Sequence, residues 1–268
     1  SNQAPLGGGQ HALAMGDMNG DGYADLVIKG GSGSYDWSAG QVYILYGDSD
    51  FRYHGVDLNR PWPHTRETRV TGPSTDNFGS AVACGDFNGD GYDDLLIGAY
   101  AMTSSSGEGF VGSAYVVYGR EDMDEIPLMD LESEPGYWNE TRILGDQTWD
   151  VLGVSAGSGD LNADGFDDLL IGASASNSYG IGGWITIIYG ETGLPGRTID
   201  LNTNGEISNE NETRIHAHTN DGYGQFGITL TTADIDGDGI DDLIGGANIG
   251  NPMGYVDIIF GDESLPGM

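Results

Sequence analysis

The stretch Asp86-Phe87-Asn88-Gly89-Asp90-Gly91-Tyr92-Asp93-Asp94 runs directly into Leu95-Leu96-Ile97-Gly98-Ala99. Oxygen-bearing side chains stand at positions 1, 3, 5 and 9 of a nine-residue loop, and an apolar strand follows. Three more copies occur: Asp17, Asn19, Asp21 and Asp25; Asp160, Asn162, Asp164 and Asp168; and Asp234, Asp236, Asp238 and Asp242. Position 6 is always glycine (Gly22, Gly91, Gly165, Gly239), as a turn that passes through positive φ requires. Such spacing aims several carboxylates at one point. A hard cation such as Ca²⁺ takes six to eight oxygens at roughly 2.3–2.6 Å. The main-chain carbonyl of position 7 (Tyr23, Tyr92, Phe166, Ile240) supplies one more oxygen. The loop is the front half of an EF-hand pattern. It is not an EF-hand, because position 12 is Ile28, Ile97, Ile171 or Gly245 and never Glu. With no Cys or His in the donor set, softer transition metals are disfavoured. The expectation is up to four Ca²⁺ ions, one per loop.

Other landmarks keep step with the loops, which begin at residues 17, 86, 160 and 234. An apolar-glycine pair precedes each: Phe78-Gly79, Leu152-Gly153, Phe226-Gly227 and, more loosely, Leu6-Gly7. A short first strand follows it. After the loop come Leu26-Val27-Ile28, Leu95-Leu96-Ile97, Leu169-Leu170-Ile171 and Leu243-Ile244, continuous apolar runs that suit a strand buried on both faces. A third strand ends in aromatic-glycine: Tyr46-Gly47, Tyr118-Gly119, Tyr189-Gly190 and Phe260-Gly261. Asp57-Leu58, Asp130-Leu131 and Asp200-Leu201 mark a longer excursion, which leads to Glu-Thr-Arg at 67–69, 140–142 and 212–214 and a fourth strand. The fourth repeat would lack that strand before Met268. Four strands in a unit of about 70 residues suit a propeller blade better than a solenoid coil. The fold expected is all-β: a β-propeller of four-stranded antiparallel blades. It forms one domain over 1–268, with repeats at about 6–71, 78–144, 152–216 and 226–268.

Composition narrows function. Nine basic against 42 acidic residues give a formal charge of −33. Four divalent ions would leave the chain strongly acidic, so nucleic acid and anionic membrane are excluded as partners. No apolar run approaches the ~20 residues of a membrane-spanning helix, no signal peptide is visible, and Ser1-Asn2-Gln3 reads as a mature start. Clustered carboxylates repel one another without a cation, so metal should contribute to folding. The lone cysteine, Cys84, aligns with Met15, Ser158 and Thr232 and reads as strand packing. Millimolar extracellular Ca²⁺ fits exposed loop sites of this kind.

Phe78-Gly79, the Asp86–Asp94 loop and Gly98-Ala99-Tyr100 together resemble the FG-GAP repeat of integrin α-subunit propellers. Leu152-Gly153 with Gly172-Ala173-Ser174, and Phe226-Gly227 with Gly246-Ala247-Asn248, match similarly. The resemblance covers essentially the whole chain. It implies Ca²⁺ in the loop between the first two strands of each blade, held by the oxygen positions and position-7 carbonyls named above. It also implies a non-catalytic module of an extracellular or cell-surface adhesion protein. Some lectins and phospholipases carry similar repeats, so a carbohydrate-binding lectin and an accessory domain of a cell-surface hydrolase are the alternatives. The chain departs from the family in two ways. It has four blades where the family usually closes seven, and its first repeat has a displaced Gly7 and Lys29-Gly30-Gly31 in place of Gly-Ala. Open blade ends would be apolar. The outcomes are closure by four blades, self-association to complete a ring, or membership of a larger ring.

Other motifs fit the repeat better than they fit chemistry. Gly153-Val154-Ser155-Ala156-Gly157 spells a nucleophile elbow, but it falls in a first strand. His216 and His218 form H-x-H without a third ligand nearby. Asn139 and Asn211 head sequons that coincide with the repeated Glu-Thr-Arg. Arg69, Arg142 and Arg214 read as structural partners of acidic neighbours. A protein or glycan ligand is expected on the face opposite the metal loops. The expected surface there comprises Tyr35, Asp36 and Trp37; residues 100–110; Gln147 to Asp150 with Trp149; Tyr179 and Tyr223.

Overall fold

A computed structural model describes residues 13–30, 40–49, 66–73, 76–103, 110–133, 135–145, 150–174, 182–201, 211–216, 225–248 and 254–266. Seventeen strands among these residues form four sheets, one per repeat. The first sheet is β1 (Leu13–Gly16), β2 (Asp25–Gly30), β3 (Gln41–Leu45) and β4 (Glu67–Thr71). The second is β5 (Val82–Gly85), β6 (Asp94–Ala99), β7 (Ser113–Val117) and β9 (Thr141–Leu144). The third is β10 (Leu152–Gly159), β11 (Asp168–Ala173), β12 (Trp184–Ile188) and β14 (Glu212–His216). The fourth has β15 (Thr229–Ala233), β16 (Asp242–Ala247) and β17 (Tyr255–Ile259). Pairing runs antiparallel in chain order through each, as the expected propeller blade requires.

The excursion strands have a role that the sequence did not disclose. β8 (Leu128–Asp130), from the second repeat, pairs in parallel with β4 of the first. β13 (Thr198–Asp200), from the third repeat, does the same with β9 of the second. Each of these blades is therefore five-stranded, and its outer edge is covered by chain lent from the next repeat. An exposed row of N–H and C=O groups is thereby removed. The Glu-Thr-Arg motif secures this loan. Thr68 Oγ1 donates to the Ile126 carbonyl at 2.6 Å, and Arg142 and Arg214 donate to the carbonyls of Leu131 and Leu201, where the lent strands leave. Each Arg also meets the buried Glu two residues earlier, at 2.8 and 2.6 Å. The structural reading of these arginines is the one the contacts support.

Hydrophobic residues gather between blades as three cores, one for each pair of neighbours. Within β6, Leu95 and Ile97 belong to the core shared with the first blade, while Leu96 belongs to the core shared with the third. A strand that feeds two cores must be apolar at every position, and β6 and β11 are buried throughout. The loop's position-2 residue lies in the same layer: Met18, Phe87 and Leu161 are fully buried. Ser155 is buried on β10 and donates to the Gly227 carbonyl at 2.6 Å, which makes it an interblade bolt. Cys84 is a free thiol whose pKa burial pushes well up, and His216 lies against Trp184.

Candidate metal centre

All four nine-residue loops are described, and each closes in the same way. The position-1 carboxylate folds back over the turn: Asp86 Oδ2 accepts from Gly91 N at 2.9 Å, and the equivalent bonds join Asp17 to Gly22, Asp160 to Gly165 and Asp234 to Gly239. The position-5 carboxylate accepts the N–H of position 7, as Asp90 does from Tyr92 at 3.0 Å. Asp21, Asp164 and Asp238 repeat this bond. Gly22, Gly91, Gly165 and Gly239 sit at φ of 87, 90, 89 and 93°, the left-handed turn expected of them.

Position 9 opens the second strand and is buried in every blade. Its two oxygens each accept a backbone N–H. Asp94 takes those of Phe87 and Gly119, and Asp25, Asp168 and Asp242 take the matching pairs. This carboxylate therefore ties the loop to the end of the third strand of its own blade. Burial, aided by the neighbouring loop carboxylates, raises the pKa of Asp25 to about 6, Asp94 to about 8 and Asp168 to about 7. A carboxylate so placed is stabilised in its charged form by a nearby cation.

The fourth loop gathers three carboxylates at one point. Carboxylate oxygens of Asp234, Asp236 and Asp242 lie within 4.8 Å of one another. Asp238 is not in that group, and its Oδ1 is engaged by Ile240 N. In the other loops position 3 is Asn. Asn19, Asn88 and Asn162 donate to the position-5 carboxylates at 3.2, 3.0 and 2.9 Å. The ion pairs among the described residues lie elsewhere, as in Arg66–Asp48, Arg120–Asp122 and Arg197–Glu191. The donors are all oxygen, mostly carboxylate, and uncompensated by a basic side chain among those pairs. That set fits a hard divalent cation.

The loops also lock the blades together, through residues that sequence reasoning passed over. Position 8 of each later loop reaches back to position 1 of the loop before. The N–H groups of Asp93, Asp167 and Asp241 donate to the carbonyls of Asp17, Asp86 and Asp160 at 3.1, 3.1 and 3.2 Å. Their carboxylates accept the position-1 N–H in return, at 2.7 Å for Asp17 and 3.0 Å for Asp86, with the Asp241–Asp160 bond alike. The third residue past the third strand then bonds to position 2, as Arg120 N does to the Met18 carbonyl at 2.9 Å. Glu191 and Asp262 do the same to Phe87 and Leu161. The repeated Asp-Asp of 93–94, 167–168 and 241–242 was the available signal. Only its second member has a role within the loop. The first serves the neighbouring blade, and Ala24 replaces it in the first repeat. Replacing Asp167 by Ala should orphan the Asp86 N–H and cost about 1–3 kcal/mol, read as a lower thermal midpoint. A midpoint equal to wild type would contradict the clamp.

The expected ligand face is only partly in view. Tyr35, Asp36, Trp37, residues 147–149, Tyr179, Tyr223, residues 104–109 and His218 lie outside the described residues. Phe110 is exposed and Tyr100 half-buried. Asp150, expected on that surface, is instead buried, 1% exposed. It stands two residues ahead of β10, whose first two residues are buried as well.

The FG-GAP repeat model matches residues 10–45, 78–117 and 152–183. The chain is 28% identical over 264 residues to integrin alpha-PS2 of Drosophila melanogaster, covering 88% of this chain and 16% of that protein. It is 34% identical over 166 residues to the phosphatidylinositol-glycan-specific phospholipase D of Homo sapiens, covering 60% of this chain and 18% of the enzyme. The Bos taurus enzyme matches at 32% with the same coverage. The chain thus spans less than a fifth of the length of these relatives. The matched stretches fall in the first three repeats, and these FG-GAP matches together with the stacked sheets support an integrin-like propeller. The fourth blade lies outside the matched stretches and follows the same loop and strand pattern.

Proposed function

We propose that this chain is a non-catalytic, calcium-stabilised propeller module of an extracellular adhesion or recognition protein. One observation carries the reading. The residues that would offer oxygens to a cation at position 1 of the first three loops, Asp17, Asp86 and Asp160, are also those through which consecutive blades hydrogen-bond. A bound Ca²⁺ would hold Asp17, Asn19, Asp21 and Asp25 and their counterparts in one arrangement, offset their repulsion, and so fix the surface to which the next blade is fastened. Asp238, and with it the position-5 carboxylates, would join by swinging from the backbone N–H bond now made. The metal would act on shape, with a protein or glycan bound on the face opposite the loops.

Similarity to phosphatidylinositol-glycan-specific phospholipase D favours a second reading, an accessory domain of a cell-surface hydrolase. Both readings place the module outside the cell. Activity from this chain alone would contradict both.

Calorimetric titration of Ca²⁺ into metal-stripped protein tests the proposal. Binding should release heat at up to four sites, and the fourth should be tightest because Asp236 adds a carboxylate where the others have Asn. Asp236→Asn should then weaken that site on the order of tenfold, since affinity follows ligand charge count. No heat above dilution, or a titration unchanged by Asp236→Asn, would refute the assignment.

A further inference from the structure

Position 3 of the first two loops is an asparagine followed directly by glycine, Asn19-Gly20 and Asn88-Gly89. The third loop has Asn162-Ala163 at the same place, and the fourth Asp236-Gly237. Packing between blades fixes the first two glycines. Tyr92 lies over Gly20 and Phe166 over Gly89, so close that a Cβ there would collide with the ring. Ile240, the equivalent residue of the fourth loop, is smaller, and the loop before it carries Ala163. The seam therefore imposes a neighbour that leaves the next backbone nitrogen unshielded. In an Asn-Gly pair that nitrogen can reach the carbonyl carbon of the asparagine side chain, since glycine has no Cβ in the way.

The second loop adds three contacts that serve such an attack. Gly89 N donates to Asp86 Oδ1 at 2.8 Å, so a carboxylate stands within reach of the proton that the nitrogen must lose. Asn88 Oδ1 accepts the Asp90 N–H at 2.8 Å, a donor placed where negative charge would gather on the carbonyl oxygen. Asn88 Nδ2, the leaving nitrogen, donates to Asp90 Oδ2 at 3.0 Å. Gly89 and Asp90 are exposed, so water reaches the turn. The first loop is less complete. Its oxygen contact, Asp21 N to Asn19 Oδ1, is 3.2 Å, and the Asp17 carboxylate accepts from Asp21 N and Gly22 N, with no bond from Gly20 N among the described residues. In the third loop the Pro266 carbonyl also holds Asn162 Nδ2, at 2.9 Å.

We infer that Asn88 is a deamidation site, converted to aspartate through a cyclic imide while its loop is free of cation. Gly89 N bonds to Asn88 Cγ and gives its proton to Asp86. The Cγ–Nδ2 bond breaks, and Nδ2 takes up a proton and leaves as ammonia. Water then opens the imide. Attack at Cγ leaves aspartate in an ordinary backbone, and attack at the main-chain carbonyl leaves isoaspartate, with an extra methylene in the chain. Water is consumed, ammonia is released, and nothing is oxidised or reduced. The fourth loop already has the pattern of the first product. Gly237 N donates to Asp234 Oδ1 at 2.6 Å, and carboxylate oxygens of Asp234, Asp236 and Asp242 lie within 4.8 Å of one another. Aspartate at position 88 would thus give the second loop a fourth carboxylate, whereas isoaspartate would break its turn. Control by the metal rests on the calcium reading: an ion held by Asp86 and Asn88 Oδ1 would occupy the base and fix the side chain. The reaction of the metal-free loop does not rest on it.

The test is peptide mapping by mass spectrometry after timed incubation of the folded, chelator-treated protein, with enzymatic methylation of isoaspartate as a second readout. Asn88 should gain the amide-to-acid mass difference first, Asn19 more slowly, and Asn162 not over the same period. In denaturant Asn19 and Asn88 should react at similar rates, because the contacts that separate them are gone. Asp86→Asn, shown to be folded by circular dichroism, should slow Asn88 about tenfold, with hydroxide serving in place of the carboxylate. Calcium at about 100 times its dissociation constant leaves about one loop in a hundred without it and should slow Asn88 about a hundredfold. An Asn88 that stays intact in the chelated protein, or reacts no faster than Asn19 or Asn162, overturns the inference. Equal rates with and without calcium, in a sample whose binding calorimetry confirms, overturn control by the metal. Absence of binding heat would count against the calcium reading alone, since the chelated protein is read without it.

Discussion

Chelation of calcium should lower the thermal midpoint of this protein by about 20 °C or more. The linkage is simple. A ligand present at 100 times its dissociation constant stabilises the folded state by about 2.7 kcal/mol per site, so four sites give about 11 kcal/mol. For a chain of this size one kcal/mol moves the midpoint by roughly 2–4 °C. The structure suggests why the loss should be cooperative. Position-1 aspartates both offer oxygens to a cation and fasten the following blade, through Asp93, Asp167 and Asp241. Freed of metal, the carboxylates of a loop repel, and the strain falls on the seam. Differential scanning calorimetry with and without chelator, followed by readdition of Ca²⁺, makes the measurement. A midpoint unmoved by chelator would remove calcium from the folding of this chain, and a midpoint restored equally by Mg²⁺ would remove its selectivity.

Replacing Gly172 by Ala should be strongly damaging for a single added methyl, at about 3 kcal/mol or more, beyond the usual range for overpacking. A Cβ at that position would lie 2.0 Å from the Gly227 carbonyl oxygen and 2.1 Å from Ser155 Oγ. The oxygen belongs to backbone that is itself bonded to the Gly246 carbonyl, so it has nowhere to move. Two blades would be pushed apart, opening the core that holds Leu170, Ile185 and Phe226. Gly91→Ala provides the contrast. Its φ of 90° makes it strained, yet no atom lies within 4 Å of the new methyl. That change should cost only about 1 kcal/mol, the backbone cost of a side chain in the left-handed region. Thermal unfolding of the two variants side by side separates close approach from conformational strain. If Gly91→Ala proved the worse, blade contact would not be the reason for the glycine of the Gly-Ala pair.

Both expectations bear on how much of the molecule could be read in one dimension. The loop was legible because its bonds are local. Asp86 reaches Gly91 and Asp90 reaches Tyr92 within a few residues, so spacing alone reveals them. The strands were legible for a related reason. Leu95-Leu96-Ile97 is apolar at every position, and only a strand covered on both sides needs that. Even the expected φ of Gly22, Gly91, Gly165 and Gly239 is a property of the turn itself.

The lent strands β8 and β13, the position-8 clamp, the close blade contacts at Gly98 and Gly172 and the ring-on-glycine match of Tyr92 with Gly20 were not legible. Each joins residues from different repeats, some 50 to 80 positions apart by the bonds Thr68–Ile126 and Asp86–Asp167. Asp93 and Asp94 stand side by side, yet one serves its neighbour's loop and the other its own. Asp150 shows the same limit in reverse: polar, in an expected binding loop, and buried. The sequence determined the blade, because a blade is held by bonds and burial patterns that repeat along the chain. Tertiary structure alone decided how blades grip one another, because a seam between blades exists only after two folded surfaces meet, and nothing in the spacing of either records the other.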